Sequence, residues 1–298
     1  MISSAQITKL MRPGLRSVFG LYSQAPEEWK QYMQSYTSDK NYEEDLEMQG
    51  LGYANTKAEG EATSSGIMKE GYSTIYFHKT VSRSFTITRE AQEDDLYKSQ
   101  FPRGVEALKT ALSKTKNVLA AHVLNSAYDA SKVMGDGKTI CSTDHPTADG
   151  DYANCFSTKA ALSEAALEQA LIKIAEFKDL DGTLSQVKPE RLIVPYALCF
   201  RATRLLESAF RTDTANNDIS AIYNLSAFPK GYVVSRYLNN ADNWFIQTDA
   251  PDGLKHYQRS PVHTKMEVDF MTDNIITKAD ERYSFNISNP RAVFGSGA

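Results

Sequence analysis

The chain has 298 residues, 41% of them hydrophobic and 23% charged, with a net charge of −4. That length predicts two subdomains, since single cores stop growing near ~250–300 residues, and the acidic balance excludes a chain that binds nucleic acid by bulk charge. No apolar run reads as a secretory signal or approaches the length of a membrane span, and three cysteines without a CxxC pair predict reduced thiols in a cytosolic setting.

Residues 1–26 carry Lys9, Arg12 and Arg16 and no acid, a net +3. A short helix is expected over Ala5–Leu10 and an aromatic-bearing one near Glu27–Tyr36. Residues 39–70 are acidic, with Glu43, Glu44, Asp45 and Glu47 among eight acids and a net charge of −5. Their centre, "GLGYANTKAEGEATSSG", cannot bury much apolar surface by itself; it reads alternatively as the tip of a long hairpin. The return strand alternates with period two: Ile75, Phe77, Lys79, Val81, Arg83, Phe85 and Ile87 share one face. Fifteen residues at ~3.3 Å each would span ~50 Å. Lys79 and Arg83 interrupt its apolar face and mark a polar rim.

At Thr88 the pattern changes. Thr88 is a helix cap, followed by acids in the early turns. The strongest helical pattern covers about 103–133, where Val105, Leu108, Leu112, Thr115, Leu119, Val123 and Ser126 form one stripe. Residues 98–118, with Lys109, Lys114 and Lys116, carry a net +4. "GDG" at 135–137 is expected to stop this helix. A Gly/Asp-rich loop fills 135–160. A helix capped by Ser163 follows, with Leu167, Leu171, Ile174 and Phe177 on one face. "RLIVP" (191–195) reads as a short buried strand and "YALCFRATRLLESAF" as a helix. Polar loops are expected at 211–220, 239–243 and 249–253, and period two returns in the last fifty residues until Pro290.

Reactive constellations are sparse. Gly137-Lys138-Thr139 lacks the upstream glycine of a phosphate loop and follows a helix instead of opening one. Cys141, His145 and Cys155 lack the paired spacing of a zinc site. Cys141 with His145 could make a thiolate–imidazolium nucleophile, but no nucleophile signature surrounds the cysteine. The acidic runs at 43–45 and 93–95 read as solvated faces.

The order of parts carries more information. "FTITREAQEDDLY" (85–97), "GDGKTICSTDHP" (135–146) and the Asn289-Pro290-Arg291 strand end occur in the sequence at the spacing of one family. In these words and their order the chain resembles the major capsid proteins of tailed bacteriophages, in particular the Mu-like major head subunit group. The resemblance implies an α+β fold of the Hong-Kong-97 capsid type. Its parts would be an N-terminal arm (1–38), an extended loop (39–87), a peripheral domain with a long spine helix (88–159 and 261–298) and an axial domain (160–260).

The same resemblance implies a structural subunit without catalytic site, metal or cofactor. Copies would form hexamers and pentamers of an icosahedral shell around double-stranded DNA, in a virion assembled in the host bacterial cytoplasm, with no membrane contact. A scaffolding protein is expected to be separate, since no long charged segment precedes the arm; a portal and a decoration protein are further expected partners. Lys57 and Lys69 lie in the loop without a recognisable cross-linking partner. The extended loop would lie over a neighbouring subunit, so the expected contact residues are Phe77, Lys79, Val81, Arg83, Glu43, Glu44, Asp45, Lys109, Lys114 and Lys116. The acidic loop and the basic start of the spine helix are complementary and would steer assembly. The +3 arm could face the packaged DNA by non-specific contact. The rival readings are a bacterial nanocompartment shell and a cytosolic hydrolase using Cys141 and His145.

Overall fold

A computed structural model describes residues 26–94, 97–210 and 218–297. The expected helix at Ala5–Leu10 and the basic cluster Lys9, Arg12 and Arg16 lie outside the described residues, as does most of the polar loop at 211–220. The expected helix near Glu27–Tyr36 is a 3-10 turn, Glu28–Gln31, followed by strand β1 (Gln34–Thr37). Trp29, Tyr32 and Met33 are pulled into the core. The next residues are captured by parallel pairing with β10 (Leu254–Val268).

β2 (Tyr42–Met48) and β3 (Glu70–Phe77) form an antiparallel hairpin. The expected fifteen-residue ribbon is two strands, because β4 (Lys79–Ile87) belongs to another sheet. That sheet has the order β1-β10-β11-β4, with β11 spanning Ile275–Ile287. The hairpin's return strand therefore ends at Phe77, and the rest of the expected ribbon, up to residue 87, is an edge of the four-stranded sheet. His78 is buried between Ser284 (Nδ1 to Oγ, 3.0 Å) and Ser38 (Nε2 to Oγ, 3.2 Å). The break reverses the parity of the alternation, and a shift of one residue moves every side chain to the opposite face. In β4 the odd positions Val81, Phe85 and Ile87 turn inward. In β3 the even position Tyr76 is buried and Phe77 is bare.

Thr88 caps α1 (Arg89–Glu93) as expected, its Oγ1 accepting from the Ala91 amide at 3.4 Å. The long helix, α2, runs from Tyr97 to Asn125. It starts before 103 and passes through Pro102. Gly104 is a notch: a Cβ there would meet the Phe85 ring at 2.7 Å. Val105, Leu108 and Leu112 pack on β4, β10 and β11. The helix ends eight residues before 133. Ser126 Oγ donates to the His122 carbonyl at 2.8 Å, and i→i+3 turns through Ala127, Asp129 and Lys132 replace the ladder.

The segment expected as a loop holds a small hairpin, β5 (His145–Thr147) with β6 (Gly150–Tyr152). α3 (Glu164–Ala175) is capped by Ser163, whose Oγ accepts from the Ala166 amide at 3.2 Å. β7 (Pro189–Pro195) includes the "RLIVP" run. α4 (Cys199–Glu207), α5 (Ala221–Asn224), β8 (Tyr232–Ser235), β9 (Phe245–Thr248) and β12 (Val293–Gly295) complete the second sheet and its cover. Its order is β12-β9-β7-β8.

The second sheet explains the unbroken apolar run of β7. Ile193, Phe245 and Val293 face a core shared with Trp29, Leu124, Leu254 and Ile287. Leu192, Val194, Ile246 and Phe294 face the other way, onto Leu167, Ile174 and Phe177. A sheet covered on both faces needs apolar residues at consecutive positions. β10 crosses the expected boundary at 260/261, and β12 joins this second sheet, away from β10 and β11. Among the described residues no helix is long and apolar enough to cross a membrane.

Candidate assembly surface

The β2–β3 hairpin has two unlike faces. Burial alternates along β2, with Glu43, Asp45 and Glu47 turned toward the body and Tyr42, Glu44, Leu46 and Met48 exposed. The inward carboxylates are all engaged. Glu43 accepts from Ser38 Oγ at 2.7 Å and from Lys40 Nζ at 3.3 Å. Asp45 accepts from Lys255 Nζ at 2.6 Å, Ser288 Oγ at 2.5 Å and Tyr257 OH at 3.0 Å. Lys255, itself buried, also pairs with Asp252 at 2.6 Å. Burial works to raise the Asp45 carboxyl, but the Lys255 ammonium and the two hydroxyls outweigh it and hold it below the usual carboxylate range. Burial and the Asp45 carboxylate push the Tyr257 phenol up to about 12.

A second clamp sits two residues further along β2, at Glu47. Arg291, buried in the 3-10 turn before β12, donates to Glu47 Oε1 at 2.5 Å and to the Lys178 carbonyl at 2.6 Å. Its guanidinium lies 5.0 Å from the centre of the Tyr152 ring. Here burial wins, and the Glu47 carboxyl is raised despite Arg291. Gly135 lets the hairpin seat: a Cβ there would lie 2.4 Å from the Ser73 carbonyl oxygen. The proximal hairpin thus packs on its own subunit through the inner face of β2.

The outward face is different. Cross-strand pairs Tyr42–Phe77 and Glu44–Ile75, with Leu46 and Met48 beyond, form an apolar strip. Phe77 is 66% exposed, Met48 48% and Ile75 40%. Beyond them Leu51, Tyr53, Ile67 and Met68 are bare in the tip. Among the described residues no element covers this strip, and exposed apolar area of this kind on a two-stranded ribbon marks an interaction surface.

The structure divides the expected contact residues. Phe77 and Glu44 lie on the exposed strip; Glu43 and Asp45 face inward on the clamps. Val81 is half-buried against α2, and Lys79 and Arg83 are exposed on β4. Lys114 is exposed on α2 and Lys109 is half-buried. Lys116 is a correction: it is buried and pairs with Glu281 at 2.7 Å, 5.3 Å from the Tyr283 ring centre. Its neutralising acid comes from β11, far along the chain, so a local charge count misses it. The same holds for Asp45 and Glu47, answered by Lys255 and Arg291. Much of the expected complementarity is therefore spent inside one subunit. The bare Ile75 escaped sequence reading because a single register was carried through His78.

The other candidate chemistry does not assemble. Cys141 is fully buried, and burial beside Cys155 raises its thiol well above the ordinary value. The ring nitrogens of His145 face Asp136 Oδ2 (2.6 Å) and Asn154 Oδ1 (3.1 Å), not the sulfur. Lys138 pairs with Asp144, and Thr139 Oγ1 donates to the Cys141 carbonyl at 2.8 Å. Among the described residues no cluster of three or more His, Cys, Asp or Glu side chains could hold a metal.

With a long helix laid on a mostly antiparallel sheet, a projecting hairpin and a second sheet buried on both faces, the chain is similar to solved capsid subunits. The capsid of a native GTA particle matches at a TM-score of 0.56 and 11% identity, over 93% of this chain and 92% of that one. The procapsid of bacteriophage JBD30 matches at 0.54 and 12%, over 100% of this chain and 76% of that one. The virus-like particle from Pyrococcus furiosus matches at 0.53 and 10%, over 97% and 99%. At these identities the likeness defines the fold, that of Hong-Kong-97-type capsid subunits. No curated protein matches the sequence. The family model for phage capsid proteins matches residues 71–295, well over half of the chain, and the chain belongs to that family. Its function is that of a major capsid protein, a building block of the phage head shell.

Proposed function

We propose that the chain belongs to the Mu-like major head subunits and closes an icosahedral shell as hexamers and pentamers around double-stranded DNA. The observation that carries the contact is the two-faced hairpin. Its inner face is clamped by Lys255 and Arg291, and its outer strip of Tyr42, Leu46, Met48, Ile75 and Phe77 is bare. A rigid, pre-positioned strip spends little ordering entropy when it docks. The strip lies on a neighbouring copy within a capsomer, and weak contacts repeated around the shell give it stiffness. A separate scaffolding protein, a portal and a decoration protein complete the head, which forms in the host cytoplasm. Packaged DNA meets the acidic subunit only through non-specific contacts.

The test is negative-stain electron microscopy of the expressed chain, alone and with the products of neighbouring genes. Ile75→Asp/Phe77→Asp places charge on the strip without touching the core. Expected is loss of shells with the thermal midpoint within a few degrees of the parent. Normal shells from this variant would remove the hairpin from the contact. The likeness to a virus-like particle favours one second reading, a nanocompartment shell. Closed shells of one size from the chain alone, loaded with a cargo enzyme, would support it.

A further inference from the structure

Among the described residues β4 ends its sheet, and one side of this nine-residue strand has no strand partner. At ~3.3 Å per residue that edge is ~30 Å long. Thr80, Ser82, Ser84 and Thr86 keep it slim on the solvent face. An edge this long, in a protein that gathers many copies at one place, invites strand-to-strand pairing with another copy. Lys79 and Arg83 interrupt the inner face, the side on which Val81 and Phe85 meet Leu108 and Leu112 of α2. Their cross-strand neighbours are Tyr283 and Ala279, neither of them acidic. Among the described residues neither cation has a carboxylate partner. Two unpaired cations therefore stand where valine or threonine would pack better.

We propose that Lys79 and Arg83 guard this edge against a second copy's β4. Arg83 is the central residue of Lys79–Ile87. In the symmetric antiparallel pairing of two such edges, Arg83 would lie directly opposite Arg83, and like charges so placed repel. Either cation would also have to be drawn from water as the edges close. The guard depends on charge and not on its sign, which separates it from a contact with a neighbour's carboxylates.

The experiment uses the full chain in three variants, read by light scattering, thioflavin T fluorescence and negative-stain microscopy. Lys79→Thr/Arg83→Val removes both charges with strand-favouring residues. It is expected to give irregular aggregates with dye signal several-fold above the parent. Adding Ser82→Lys to that variant returns a charge to the other face of the same edge and should restore parental scattering. Lys79→Glu/Arg83→Glu should remain as soluble and as competent in assembly as the parent. The proposal is overturned if the neutral variant behaves like the parent, or if Ser82→Lys fails to relieve its aggregates, which would signal a folding lesion. It is also overturned if the charge-reversed pair stays soluble but no longer assembles, which would make the two cations a contact with acids of a neighbour.

Discussion

His256 shows how a buried titratable side chain sets a pH limit. It sits in β10, its Nδ1 2.9 Å from Ser35 Oγ, with its ring 4.4 Å from Trp29 and 4.6 Å from Phe285. Burial, with Lys116 and Lys30 nearby, pushes the imidazole down to about 3. The folded chain keeps the ring neutral, whereas an unfolded chain protonates it near ~6.5. Its contribution is therefore complete above ~6.5 and is lost as the pH falls, by at most about 1.4 kcal/mol per unit, until about 3. Urea midpoints at pH 7 and pH 5 should fall for the parent and change less for His256→Leu. An equal fall in both would place the acid sensitivity elsewhere. Glu281 works in the opposite sense: burial raises its carboxyl in spite of Lys116, so acid relieves a buried charge there. Neither effect could be read from the sequence, since His256, Trp29 and Phe285 meet only once the first sheet has formed.

The hairpin shows the same lesson at the scale of an element. Lys255 is the cation between Asp45 and Asp252, and hydrogen bonds to charged groups are worth about 1.5–3 kcal/mol each. Lys255→Met in the unassembled chain should lower amide-exchange protection across β2 and β3 by about tenfold or more, with α2 unchanged. Unaltered protection would mean that Arg291 alone holds the hairpin. Alternation was legible in Ile75 to Ile87, and the Thr88 and Ser163 caps were legible from residue type. The break at His78 was not. A single polar residue in a polar-alternating strand carries no local mark of a parity change; it is set by Ser38 and Ser284, which come from distant segments. The net charges of 39–70 and 98–118 misled for a related reason. A window counts what is near in sequence, while Lys255, Arg291 and Glu281 neutralise from the far end of the chain.

In the whole molecule, two cores meet at one sheet. The order of parts and the "RLIVP" run made the fold class and a doubly covered strand legible. The sharing of β12 was not, because Val293, Phe294 and Gly295 pair with β9 some fifty residues earlier. Phe294 is fully buried, 5.1 Å from the ring of Phe156 and 6.5 Å from that of Phe177. Phe294→Ala should cost about 3–5 kcal/mol by chemical denaturation. A cost near that of a surface change would mean the second core closes without it.

β12 is made after every other strand it touches. While the ribosome still holds residues near 293, Ile193 and Phe245 lack one wall and Leu167 and Phe177 lack another. A nascent chain is thus denied its finished interior until synthesis has passed Phe294, and copies broken off earlier would be left for proteases instead of being built into a head as faulty bricks.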